Sequence, residues 1–261
     1  MIERWGRRRF VWGLLLTISI AIISVAPPLF AIAESFRGAT SEGWSGGSYA
    51  YVFETYGQAL KISAKLAAIV VILSILIATP AAYAFVRLPF RGARLLEAMS
   101  MAPLALPGVA VAIGVMIGFS SWRSHLLLLA AAQMLYTVPY VIRIVTNALR
   151  LAELDDLHAA ARTLGATATK RFVRITLPAL KHPMLLAALV VFAISWGEFN
   201  VASLLATPVQ TPFPAALYAT YTSNSGAVSG AATAIFLAGA LPFLLALQLV
   251  EGRTFERGQG V

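Results

Sequence analysis

Between Lys65 and Arg87 the chain runs for twenty-one residues, Leu66 to Val86, without a charge. At about 1.5 Å per helical residue such a run spans about 30 Å, the thickness of a bilayer's hydrocarbon core. This run belongs to an apolar span at 62–86, and further spans lie at about 10–33, 95–119, 125–146, 184–206 and 229–250. The pattern predicts an all-α integral membrane protein with six transmembrane helices. Composition removes the soluble alternative: 59% of residues are hydrophobic and only 12% charged, against about 25% charged in globular chains. A mean hydropathy of +0.79 equally excludes intrinsic disorder, which is poor in these residue types. No cysteine is present, which excludes a disulfide framework, a thiolate metal site and a cysteine nucleophile.

The net charge of +9 invites a nucleic-acid reading until the basic residues are placed. Arg4, Arg7, Arg8 and Arg9 lie in a tail at 1–9, and Arg87, Arg91 and Arg94 lie between the second and third spans. Arg143, Arg150, Arg162, Lys170, Arg171, Arg174 and Lys181 fall between the fourth and fifth, and Arg253 and Arg257 in the tail at 251–261. One side thus holds 16 of the 20 Lys and Arg. That asymmetry places both termini in the cytoplasm and makes the basic character topological. The apolar run from Phe10 to about Ala26 exceeds the roughly 7–15 residues of a signal-peptide core. A retained helix, kinked by Pro27 and Pro28, is expected there.

Residues 34–60 read as one external loop or short interfacial helix, with Glu34, Glu42, Gly43, Trp44, Gly46, Gly47, Tyr49, Tyr51, Phe53 and Glu54. The third span carries Pro103 and Pro107, each without a helical donor, and Pro80 and Pro139 interrupt the second and fourth. Free backbone groups cost several kcal/mol in lipid, so the third span should face protein or a water-filled path. No solenoid period or inverted duplication is visible.

The stretch at about 150–180 is the informative one. Asp155 or Asp156 is placed to cap a short helix. Leu157, Ala160, Ala161 and Leu164 follow at helical spacing, giving a narrow apolar face, and Gly165 should end it. A second short segment holds Phe172 and Ile175, with Lys170, Arg171 and Arg174 around them, and ends at Leu177-Pro178. A small alanine-faced helix suits a knob fitted into a partner's groove; the alternative is an amphipathic helix on anionic headgroups.

Ala160-Ala161, three residues, Gly165, nine residues, Ile175, one residue, then Leu177-Pro178 resembles the coupling motif of inner-membrane permease subunits of bacterial binding-protein-dependent ABC importers. The resemblance covers about residues 55–250 and implies the type I ABC importer permease fold, with a permease domain at 10–250. It implies ATPase docking by Asp156, Leu157, Ala159, Ala160, Ala161, Arg162, Leu164, Gly165, Ile175, Leu177 and Pro178. The family's motif begins with Glu, where this chain has Ala159 beside His158. A salt bridge from that position is lost, and Asp155 or Asp156 compensates in part. Implied partners are a second permease subunit, two copies of a cytoplasmic ATPase carrying ATP and Mg, and an external binding protein.

The sequence agrees that nucleotide is handled elsewhere, having no Gly-x-x-x-x-Gly-Lys-Ser/Thr loop. His125, His158 and His182 are scattered, and no metal or nucleophilic site is expected. Trp196, Glu198 and Asn200 in the fifth span are the candidate substrate path. An acid at that depth costs about 2.5–3.5 kcal/mol and faces a bundle interior. Glu198 either meets substrate or a gating partner, or it pairs with the second subunit or caps a local helix break. The run from Met101 to Gly108 with this acid resembles permeases for polyamines, phosphonates and ferric ion. Glu198 would suit a cationic amine by charge, and Trp196 by a cation–π contact. A sugar or glycerophosphate permease and an ion-coupled secondary transporter are the other readings.

Overall fold

A computed structural model describes residues 2–37, 46–88, 90–123 and 125–258, with side chains described between Trp12 and Val250. The first helix, α1 (Ile2–Ser35), continues through Pro27 and Pro28. The second, α2 (Gly47–Arg87), is 41 residues long and contains Pro80. It begins well before the span expected at 62–86 and absorbs most of the segment expected to be external. Its buried residues explain the extension: Ser48, Val52, Ala59, Ser63, Leu66, Val70 and Ser74 keep one helical stripe through both parts. Glu42, Gly43 and Trp44, part of the same expectation, lie outside the described residues.

The third span is broken at its prolines. After α3 (Ala93–Met99) the chain makes a tight turn at Ala102–Ala105 and then forms α4 (Gly108–Gly118). The two halves meet at 98°. Leu106, before Pro107, is extended at ψ 135, as the proline ring requires of its predecessor. Next comes α5 (Leu126–Leu151), which carries Pro139 inside a continuous helix.

Then follow α6 (Asp155–Thr163), α7 (Ala168–Arg171), a wide π turn at Phe172–Thr176 and α8 (Leu177–Ala179). The fifth span is α9 (Lys181–Gly197), 17 residues, followed after a break by α10 (Asn200–Leu205). The segments Ala168–Ala179 and Lys181–Gly197 are bent by 68°. The stretch at 207–228, assigned no helix from sequence, contains α11 (Phe213–Ser223). Last is α12 (Gly226–Gly258), which holds the sixth expected span. Among the described residues four helices are long and apolar enough to cross a membrane, or up to six spans if each bent pair counts as one.

The chain divides into two compact units. One comprises Met1–Gly57 and Ala216–Gly239. There Ser35 Oγ lies 2.7 Å from Tyr49 Oη, and Asn224 Nδ2 donates to Tyr56 Oη at 3.2 Å. A Cβ at Gly230 would stand 2.4 Å from Ala31 O, so only glycine permits this approach of α12 to α1.

The other unit comprises Gln58–Ala215 and Ala240–Val261. Its core joins Leu66, Val70, Ala78 and Ala82 of α2 to Ala130, Val141, Val145 and Leu149 of α5, and to Ala187 and Val191 of α9. Small residues let these helices approach closely, since lipid gives no hydrophobic drive to helix association. Two buried hydrogen bonds fix their register: Ser74 with Thr137 at 2.9 Å, and Ser195 Oγ donating to Gln133 Oε1 at 2.5 Å. Such bonds between membrane helices contribute about 0.6 kcal/mol on average.

Candidate functional site

Two places within the second unit carry the expected site residues, one at the 150–180 loop and one at the end of α9. The loop starts where α5 stops at Leu151, and the chain then turns at Glu153, which adopts φ 42. Among the described residues it is the one non-glycine with a positive φ. Leu154, 6% exposed, anchors the following helix.

That helix, α6, is not capped by an aspartate. Leu154 holds the N-cap position without a side-chain bond, and Asp155 and Asp156 sit in the first turn. Asp155 is drawn away because its carboxylate pairs with Arg87 Nη1 at the end of α2. Arg87 Nη2 also donates to Leu149 O at 3.3 Å. Nearby, Arg150 Nη2 pairs with Glu97 at 2.6 Å. The Asp155 side chain is 86% exposed, and pairs of that kind contribute about 0–1 kcal/mol.

The C-terminus of α6 matches expectation. Gly165 takes φ 77, Ala166 N donates to Ala161 O at 2.9 Å, and Gly165 N to Arg162 O at 2.9 Å. These two bonds form a Schellman stop. The apolar face is open, with Leu157 57% and Leu164 87% exposed. Asp156, Ala159, Ala160, Arg162 and Gly165 are also exposed, while Ala161 is half-buried.

Thr167 caps α7, its Oγ1 accepting from Lys170 N at 3.3 Å. The helical segment does not end at Pro178 but runs to Ala179. It passes Pro178 by widening, since that residue has no N–H to offer the preceding turn and the π turn at Phe172–Thr176 lies immediately before it. Ile175 and Leu177 are half-buried and Pro178 is exposed. The segment contacts both α6 and α2: His158 Nε2 lies 3.1 Å from the buried Thr176 Oγ1, and Phe172 meets Tyr83 edge-on at 4.9 Å. His158 is held below its usual 6.5 by partial burial and then by the charges of Arg87 and Arg171, with Asp155 opposing them.

The second place is a helix break. Both Glu198 oxygens accept backbone N–H groups, from Val201 at 2.9 Å and Ala202 at 3.0 Å. Of the roles open to it from sequence, capping a local break is therefore the one this carboxylate fills. Trp196 is buried, with Phe192 stacked on it at 5.8 Å, so an aromatic ring covers one face that a cation would use. Asn200 is exposed and lies against Gly108, where a Cβ would stand 2.9 Å from Asn200 Cβ. The breaks of the third and fifth spans thus pack on each other.

Sequence reasoning missed Arg87, counted there only as a topological charge, and Tyr83 and Thr176, which carry no motif. It also missed Gln133 Nε2 and Tyr136 Oη, buried and without a hydrogen-bond partner among the described residues.

A family model described as binding-protein-dependent transport system inner membrane component matches residues 71–256. The molybdenum transport system permease protein ModB of Escherichia coli (strain K12) is 31% identical over 210 residues, 72% of this chain and 89% of its own length. The putrescine transport system permease protein PotI of the same strain is 27% identical over 226 residues, 79% of this chain and 78% of its own. A chain in the crystal structure of a bacterial alginate ABC transporter, in complex with alginate pentasaccharide-bound periplasmic protein, matches with a TM-score of 0.73. It shares 15% identity and covers 97% of this chain and 96% of its own, a likeness of fold.

Proposed function

Since the chain belongs to the binding-protein-dependent transport system inner membrane components, the permease subunits of ABC importers, we propose that α6 is the knob by which a cytoplasmic ATPase grips it. The observation that carries this is the exposed stripe Leu157, Ala160 and Leu164, with Ala161 half-buried beside it, closed by the Schellman stop at Gly165. Small residues at its centre allow close approach, and the flanking leucines supply apolar area. Asp156 and Arg162 flank the stripe as exposed charges, while Ala159 removes the carboxylate that the family's motif would place there. Docking on this chain rests on shape more than on charge. Ile175, Leu177 and Pro178 belong to the following segment, which meets α6 through His158 and Thr176.

In this reading the chain forms half of a substrate path with a second permease subunit. It sits in the inner membrane with its termini in the cytoplasm, and ATP and Mg are bound by the ATPase. An external binding protein delivers a small polar solute. The Glu198 carboxylate accepts two backbone donors, which fixes its orientation at the break. Two buried donors, Gln133 Nε2 and Tyr136 Oη, have no hydrogen-bond partner among the described residues.

The test is co-purification. Gly165→Pro, Ala160→Trp and Ala161→Trp should each lower ATPase recovery at least about tenfold, equivalent to about 1.4 kcal/mol, while membrane insertion stays normal. Full recovery in all three would remove the docking role. Transport by the chain alone on an ion gradient would favour a secondary transporter. Thermal-shift screening of the binding protein identifies the solute.

A further inference from the structure

The helix α3 has seven residues, and none of them is buried. A helix this short is marginal in water without packing, so something beyond the chain's own core has to hold it. Its side chains divide around the axis. Leu95, Leu96 and Met99 share one face at i, i+1 and i+4, and all three are exposed. Arg94 and Glu97 lie on the opposite side. Glu97 is taken by Arg150 near the end of α5, at 2.6 Å, which pins the polar face of α3 to the bundle and leaves the apolar face uncovered. Leu88 and Phe90, in the link just before α3, are exposed as well.

Direction and charge indicate what covers this face. The segments Ala93–Ala105 and Gly108–Gly118 meet at 98°, so both cannot run along the membrane normal. The second of them, α4, is the one packed into the bundle, on α10 and α5; α3, with nothing buried, is the one left to lie in the membrane plane. Arg91 and Arg94 are exposed, and among the described residues neither makes an ion pair. At the same end Arg87 and Arg150 are matched by Asp155 and Glu97. Two unmatched guanidinium groups beside an open Leu and Met face suit a surface that is apolar below and anionic above, and a bilayer bearing acidic headgroups supplies both at once. Guanidinium is also the side chain best shaped to hold phosphate oxygens.

We infer that α3 is an interfacial anchor. It lies in the headgroup layer at the α6 end of the chain, with Leu95, Leu96 and Met99 in the outermost acyl region and Arg91 and Arg94 on the phosphates of anionic phospholipids. The break at Pro103 and Pro107 is the corner where the chain turns from this layer into the hydrocarbon. The anchor uses no residue of α6 and does not depend on ATPase docking.

The chain has no cysteine, so each introduced label is unique. In the complex of this chain with its ATPase, in nanodiscs of phosphatidylcholine and phosphatidylglycerol, bimane is attached at Leu95→Cys, at Met99→Cys and, as a depth reference, at Leu76→Cys midway along the uncharged run of α2. Nitroxide lipids quench from the headgroup end of the acyl chain or from near its methyl end, and iodide quenches from water. Both α3 labels should be quenched more by the shallow nitroxide than by the deep one and little by iodide, with the depth order reversed at Leu76. Stronger quenching by the deep nitroxide at Leu95 and Met99 would mean that α3 crosses the core. Quenching by iodide alone would mean that it stands in water, and protection from all three that a protein chain such as the second permease subunit covers it; each of these results overturns the anchor. The headgroup is tested at Met99→Cys with the shallow nitroxide carried on phosphatidylglycerol or, at equal content, on phosphatidylcholine. The acidic lipid should quench about twofold more or better. That preference should vanish in Arg91→Gln with Arg94→Gln and persist in Arg91→Lys with Arg94→Lys. Equal quenching by the two lipids before any arginine is changed overturns the anionic contact, whatever the variants do.

Discussion

Two acids stand at helix junctions of this chain, and the structure exchanges the roles that their sequence context suggests. Asp155, expected to cap α6, leaves its backbone uncapped and pairs with Arg87. Glu198, candidate for meeting a substrate, caps α10 with both oxygens. The difference follows from the surroundings. At the end of α9 the helix breaks within a membrane-length span, where free N–H groups are costly, and the half-buried Glu198 carboxylate is the acceptor that reaches them. At the start of α6 the Asp155 side chain is 86% exposed; solvent satisfies the backbone there and the carboxylate is at liberty to find a cation.

The largest expected effect breaks the buried side of this comparison. Glu198→Ala orphans two N–H groups, at about 1–3 kcal/mol each, and should lower the melting temperature in detergent more than any substitution at Gly108, Glu153 or Asp155. Glu198→Gln, which keeps one acceptor oxygen, should lose part of that. Unchanged melting in both, with altered uptake, would return Glu198 to the substrate path. Next in size, Gly108→Ala forces a Cβ to 2.9 Å from Asn200 Cβ, and overpacking of this kind costs about 1–3 kcal/mol. Its melting temperature should fall although alanine is the better helix former.

On the exposed side the effects are smaller. Glu153→Gly relieves a positive φ worth about 1 kcal/mol and should raise resistance of the 150–155 segment to proteolysis or leave it level; a clear loss would mean that the glutamate side chain holds the corner. Asp155→Asn should change melting by only about 0–1 kcal/mol. Its sharper readout is His158. Because Asp155 opposes the burial and the arginine charges that depress this histidine, Asp155→Asn should move its NMR titration further down, and Arg87→Gln should move it up. The sign for stability follows: a depressed folded value favours the neutral ring, so its contribution is complete above the usual 6.5 and declines as pH falls below it. Greater loop stability on acidification would contradict the arrangement around His158.

Much of the fold was legible in the chain itself. Uncharged runs such as Leu66–Val86 fix helices of membrane length, because an unsatisfied backbone in lipid leaves few alternatives. Pro107 marks the break of the third span, since its ring dictates an extended predecessor, and Gly165 marks the end of α6, since φ 77 suits glycine. The early start of α2 at Gly47 was not legible, because Tyr, Phe and Glu in that stretch read equally as an interfacial loop until their buried stripe is seen.

What the sequence settled, then, is whatever depends on neighbours along the chain: helix length, breaks, caps by glycine, and the helical spacing of Leu157, Ala160, Ala161 and Leu164. Tertiary structure alone decided the partners of isolated side chains. Arg87 lies 68 residues from Asp155, and Gln133 lies 62 from Ser195. No periodicity or spacing connects such positions; they meet because Leu66, Val145 and Val191 pack their helices into one core. A carboxylate's role is set by which donor reaches it first in three dimensions, and the one-dimensional pattern around Asp155 and Glu198 carries no record of that distance.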